Sequence, residues 1–234
     1  MRSDQYVSLF TPQYMMGPNS IRLLDELTSR YPLAQGSRIL DLGCGAGLTS
    51  LFAAREFGCQ VYATDLWISA TDNQRRFEAW NADERIIPLH ANAHDLPYAD
   101  EFFDAIITVD AYHYFGCEPE FFQQKLLPLV KPGGWILIAV PGLKEEFQGE
   151  VPPAFFDWCG DEHSLFHSCD WWRRTIGESP MIAQAHFWNM DVHDLAWQDW
   201  YHSGHEYALN DKTCLEHGAG QYLTTVGMAI RRTA

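Results

Sequence analysis

Residues 38–47 read Arg-Ile-Leu-Asp-Leu-Gly-Cys-Gly-Ala-Gly. Five residues of strand character run into a loop with glycine at every second position, and Leu48 to Phe57 then reads as a helix. Glycines at such a turn admit a sharp reversal and let backbone N–H groups approach a ligand closely. Outward from this stretch the alternation continues. Residues 60–65 read as a strand, 72–81 as a helix, 86–90 and 103–109 as strands, 118–130 as a helix, and 135–140 as a fifth strand delivered by the turn Pro132-Gly133-Gly134. Upstream, residues 20–31 have the apolar spacing of an amphipathic helix. Apolar strands separated by helices imply an α/β fold with a parallel sheet covered on both faces.

Beyond Pro141 the pattern changes. Residues 142–168 carry prolines and aromatics without clear periodicity, followed by a helix (170–177), a strand (182–188), a helix (192–207) and a last strand (222–231). No linker separates this tail, so the sequence predicts one domain over 1–234. Residues 36–141 form its ligand-binding core, and 142–180 an insertion on the substrate side.

Bulk properties exclude several functions. The formal charge of −15 argues against a nucleic-acid surface, which needs clustered Lys and Arg, and attracts cations over anions at long range. Apolar runs are strand-sized and too short for a bilayer, and residues 1–6 lack the apolar stretch of a secretory signal. Six cysteines without repeating spacing read as reduced thiols, which places the expected location in the cytoplasm.

The glycine loop narrows the ligand. A dinucleotide fingerprint requires glycine at its first, third and sixth positions, but the sixth here is Leu48. The acid two residues before the first glycine, Asp41, would repel a pyrophosphate and suits a ligand bearing an ammonium and a sulfonium. Asp65 closes the second strand, where an acid accepts hydrogen bonds from ribose hydroxyls. These residues favour S-adenosylmethionine over a nicotinamide dinucleotide.

The stretch from Ile39 to Pro141 resembles the class I S-adenosylmethionine-dependent methyltransferases of the broad small-molecule group that includes ubiquinone-type enzymes. Four segments carry the resemblance: residues 39–47, the strand ending at Asp65, residues 91–115 and residues 129–141. The resemblance implies a Rossmann-like, doubly wound, seven-stranded sheet with an antiparallel last strand. It implies that Gly43, Cys44, Gly45 and Gly47 wrap the methionine part of the cofactor, with Asp41 near its amino group. Asp65 would hold the ribose, Leu66 would pack on the adenine, and Asn92-Ala93 would meet the adenine amino group where relatives carry an acid before Ala. Asp110 would lie beside the methionine end and the methyl acceptor, a small molecule.

On the acceptor side, Asp110, His113 and Tyr114 are the candidate catalytic groups, His113 being the natural base by its ordinary pKa. Six of the nine tryptophans fall between Trp158 and Trp200, and Phe155, Phe156, Trp158, Trp171 and Trp172 suggest a lid. Cys159, His163, His167 and Cys169 contain metal-ligand residue types, but their spacing matches no standard zinc module, so no metal is expected. A nicotinamide oxidoreductase and a non-catalytic S-adenosylmethionine-binding sensor or scaffold are the competing readings. The acceptor atom and the oligomeric state are left open by the sequence.

Overall fold

The computed structural model describes residues 1–118 and 120–234. Seven strands form one sheet in the order β3-β2-β1-β4-β5-β7-β6. They are β1 (Arg38–Leu42), β2 (Gln60–Asp65), β3 (Ile86–His90), β4 (Phe103–Val109), β5 (Val130–Leu143), β6 (Ile182–Asn189) and β7 (Leu223–Arg232). The first five run parallel, and β7 lies antiparallel between β5 and β6. This is the Rossmann-like, mostly parallel sheet expected from the sequence. The chain winds from β1 outward to β3, then returns to β4 on the other side of β1. That reversal opens a crevice beyond the carboxyl ends of β1 and β4, where open α/β sheets hold ligands.

Side-chain alternation divides the core between the two faces. Ile39, Val61 and Ile107 join Leu24, Leu27, Leu51 and Phe52 on the face covered by α1 (Ser20–Arg30) and α2 (Leu48–Phe57). Leu40, Ile106 and Ile138 point the other way, toward Tyr112, Phe122, Trp172 and Met228. Strands buried on both sides explain why these segments read as continuous apolar runs.

Helix ends follow local chemistry. Asn19 caps α1 by accepting from the N–H groups of Ile21 and Arg22, and Gly58 ends α2 in the left-handed conformation. Ser69 caps α3 (Ala70–Ala79), and Ser168 caps α5 (Cys169–Ile176). Two expectations need correction. The helix predicted over 118–130 is reduced to a π turn, Phe122–Leu126, and a 3-10 turn, Leu127–Leu129. Pro128 lacks the N–H that would continue the helix, and its ring crowds the preceding turn. Pro119, within that predicted span, lies outside the described residues. The helix predicted over 192–207 is two helices, α6 (His193–His202) and α7 (Glu206–Glu216). They are broken at Gly204 (φ +80°), after which His205 caps α7.

The segment lacking periodicity holds α4 (Pro153–Cys159) and a 3-10 turn, Gly160–Leu165. Its aromatics are mostly core. Phe155 is fully buried among Phe147, Trp158, Phe166 and Tyr222, and Trp172 is fully buried against Tyr112. Among the described residues, no helix is long and apolar enough to cross a membrane.

A 3-10 helix, Arg2–Leu9, is tied to α1 by Asp25, which accepts from the Ser3 N–H and hydroxyl at 2.8 Å each and from Arg2 at 3.0 Å. Arg22 pairs with Asp4 and with Asp199 of α6. These anchors launch residues 10–18 across the carboxyl end of the sheet.

Candidate active site

A cavity of about 450 Å³ lies at that crevice. One wall is the loop after β1. Gly43 (φ +74°) and Gly45 (φ +53°) take left-handed conformations, and the N–H groups of Gly43 and Cys44 lean on the Thr64 carbonyl at 2.8 and 3.2 Å. A Cβ on Gly43 would sit 2.2 Å from that of Ala111, so only glycine permits this approach of the loop to β4. Gly47 departs from its expected role. It packs against Phe77 and does not line the cavity.

Asp65 is the organising acid. One oxygen accepts from Gly45 N–H at 2.8 Å, and the other accepts from the N–H groups of Trp67 and Ile68 at 2.7 and 2.8 Å. It therefore fixes both the glycine loop and the turn after β2, which presents Leu66 and Trp67 to the cavity. Across from them, Ala91, Asn92, Ala93 and His94 complete this end. The Asn92 side-chain oxygen accepts from His94 N–H at 3.0 Å, which shapes the turn.

Asp41 belongs elsewhere. Alternation along β1 turns it to the face under α2, where one oxygen accepts from the hydroxyls of Thr49 and Ser50 at 2.6 Å each. Its second oxygen is buried without a partner, and burial pushes its pKa up to about 6. The carboxylate complements the amino-terminal end of α2 rather than a ligand in the cavity. This corrects its expected place near an amino group.

The acid that faces the cavity without a hydrogen-bond partner is Asp110. It follows β4 in the left-handed conformation (φ +58°), uncommon for a residue with a side chain and costly to hold. Its N–H bonds to the Ala139 carbonyl at 2.7 Å, but its carboxylate has no cation or hydrogen-bond donor beside it among the described residues. Desolvation, and then the charge of Asp211 on α7, push its pKa up to about 8. A Cβ on Gly17 would fall 2.4 Å from Oδ2, so glycine here gives the carboxylate its room. Gly17→Ala is expected to leave the melting temperature within a few degrees of the parent. Turnover should fall on the order of 10²-fold, because a displacement near 1 Å of a reacting group costs that much. Steady-state kinetics beside thermal melts checks it.

His113 is a second correction. The 3-10 turn Tyr112–Tyr114 buries Tyr112 in the core under the sheet and turns His113 inward, its ring 6.1 Å from that of Phe166. Burial lowers its pKa to about 3, Nδ1 has no partner, and the ring does not reach the cavity. A base must lie within hydrogen-bond reach of the proton it takes. Only Tyr114 of this turn lines the cavity, meeting Trp67 edge-to-face at 5.0 Å. The aromatics expected as a lid also lie outside the lining.

Residues 14–18 roof the cavity, with Met16 Sδ against Gly45. Sequence reading missed Trp67, although an aromatic immediately after a strand-ending acid was a usable signal for it. The Cys and His residues raised as metal ligands are engaged separately. Cys159 bonds to Phe155, His163 to Gly160, His167 stacks on Trp171, and Cys169 bonds to Asn189. Among the described residues, no three His, Cys, Asp or Glu side chains gather as a metal site.

Residues 40–138 match the family described as Methyltransferase domain. This stretch contains the loop, Asp65, Asn92 and Asp110. The core is a class I S-adenosylmethionine-dependent methyltransferase domain. The chain is 32% identical over 143 residues to the glycine/sarcosine/dimethylglycine N-methyltransferase of Actinopolyspora halophila, covering 59% of this chain and 25% of that protein. It is 40% identical over 103 residues to the demethylmenaquinone methyltransferase of Clavibacter sepedonicus, covering 44% and 40%. Haemonchus contortus phosphoethanolamine N-methyltransferase 2 shares the fold with a TM-score of 0.75 at 19% identity, over 94% of this chain and 55% of that one. The chain thus spans only a quarter to two fifths of the length of these two curated relatives.

The cavity's own residues fit the cofactor of this domain. Asp65 keeps acceptor capacity beyond its three backbone bonds, which suits a ribose hydroxyl.

Proposed function

We propose that this protein transfers a methyl group from S-adenosylmethionine to a small-molecule acceptor. The observation that carries the reading is one cavity with two functions in its walls. Gly43, Gly45, Asp65, Leu66 and Asn92 form one end, and Asp110 and Tyr114 stand where an acceptor would enter. Bound S-adenosylmethionine supplies an electrophilic methyl group on a sulfonium. Asp65 holds the ribose, the turn after β2 packs on the adenine, and the backbone of Gly43 and Gly45 admits the methionine part. The roof of residues 14–18 excludes water, which suits an in-line displacement that needs alignment more than acid–base chemistry.

The relatives' names span an amino-acid amine and a quinone ring, so the acceptor class must come from this chain's own cavity. Titration calorimetry tests the cofactor. S-adenosylmethionine is expected to bind saturably at one per chain while NADH does not bind. Folded, ligand-free protein that ignores S-adenosylmethionine would overturn the proposal.

A further inference from the structure

The cavity walls carry two carboxylates, Asp65 and Asp110, and no lysine or arginine. His94 is the one lining side chain able to take a positive charge. It sits at the end beside Asn92, its Nε2 3.7 Å from Glu118 and its ring against Phe121. Asp65 spends its oxygens on three backbone N–H groups, whereas Asp110 has no donor beside it. The rings of Tyr14, Trp67 and Tyr114 line the same cavity, Trp67 meeting Tyr114 edge-to-face on the turn that follows Asp110.

We propose that the methyl acceptor is an amine carrying no carboxylate or phosphate, bound as its ammonium by Asp110 among these rings, with Asp110 removing its proton. The inference rests on the methyltransferase reading and deepens it. An anionic acceptor group beside Asp110 would be desolvated against a carboxylate with no protein cation to meet it. An ammonium meets the opposite conditions: one unpaired carboxylate and aromatic faces that attract cations. The net charge of −15 acts in the same direction at long range.

The step balances. One N–H proton of the ammonium passes to an Asp110 carboxylate oxygen, which frees the nitrogen lone pair. That pair forms the new N–C bond as the C–S bond breaks, with its electrons remaining on sulfur. The methylated amine leaves as an ammonium, and the proton on Asp110 passes to water as the cavity opens.

The test uses labelled S-adenosylmethionine and matched pairs of acceptors: phenethylamine with phenylalanine, tryptamine with tryptophan, histamine with histidine, and ethanolamine with phosphoethanolamine. Glycine, catechol and thiophenol complete the panel. Label is expected in amines, with kcat/KM at least about 100-fold above that of each anionic partner. Equal or better use of the anionic partner, or label only in catechol or thiophenol, overturns the proposal. So does the absence of label from every amine when calorimetry shows one cofactor bound per chain. Loss of cofactor binding itself would instead overturn the methyltransferase reading. Tyr114→Arg, which places a cation at the exposed mouth, is expected to narrow the amine preference about tenfold with an unchanged circular dichroism spectrum. An unchanged preference in that variant counts against electrostatic exclusion as its cause.

Discussion

Asp65→Ala is expected to weaken S-adenosylmethionine binding about 10³-fold, taking it out of calorimetric range. Hydrogen bonds to a charged group contribute about 1.5–3 kcal/mol each, so two lost ribose contacts alone reach that size. The variant also loses what the carboxylate does before any ligand arrives. Gly45 on one side, and Trp67 and Ile68 on the other, donate N–H bonds of 2.7–2.8 Å to it. Without it, the loop and the adenine-side turn must be ordered at the cofactor's cost. Asp65→Asn separates the two effects. Its amide keeps one oxygen for Trp67 and Ile68 but opposes Gly45 N–H with a donor, so intermediate binding is expected. Affinity of Asp65→Ala within tenfold of the parent would remove Asp65 from the ribose assignment.

The architecture was legible because the central strands are buried on both faces and the strands are bounded by glycine, proline or polar turns. Six of the seven strands therefore appeared at nearly their observed limits, whereas β5, expected over 135–140, runs from Val130 to Leu143 through the expected turn at 132–134, and the antiparallel seventh followed from the resemblance. Boundaries failed where a single residue overrides periodicity. Pro128 cut a helix short, and Gly204 divided another. The cavity wall was legible at Gly43, Gly45 and Asp65, which lie at or just beyond strand ends. It was misread where the face of a side chain decides. Asp41 and Leu42 are neighbours in sequence, yet alternation sends one under α2 and the other to the cavity wall. His113 and Tyr114 diverge in the same way on a 3-10 turn. The charge argument made from Asp41 applies in space to Asp110, which no local pattern singled out as the unpaired acid. The approach of Gly17 to Asp110, 93 positions away, is a contact that no local pattern reveals.

The titration of Asp110 should be visible in catalysis. In the free protein its carboxyl is held near pH 8, against about 3.9 for an unperturbed aspartate. The groups facing it are Tyr114 on its own turn, whose pKa is also raised by burial, and Asp211 on α7. Neither supplies a positive charge. For stability the sign follows from proton binding: the native state holds this proton more tightly than the unfolded chain. Stability from this group is thus fully present below about pH 4, declines as pH rises toward 8, and is constant above. For turnover the direction reverses, because only the ionised carboxylate accepts the ammonium's proton. With an amine acceptor, kcat/KM should rise about tenfold per pH unit from 6, break near 8, and fall again only when the free amine loses its proton. In Asp110→Asn, kcat/KM is expected to be lower by about 10²-fold at pH 7, the usual size of a lost acid–base contribution. The break near 8 should vanish, leaving a rise that continues to the amine's own pKa. A parent profile that lacks the break, or an Asp110→Asn profile that keeps it, would assign the proton to another group. Cofactor affinity measured across the same range would then show whether Asp110 serves the methionine ammonium instead.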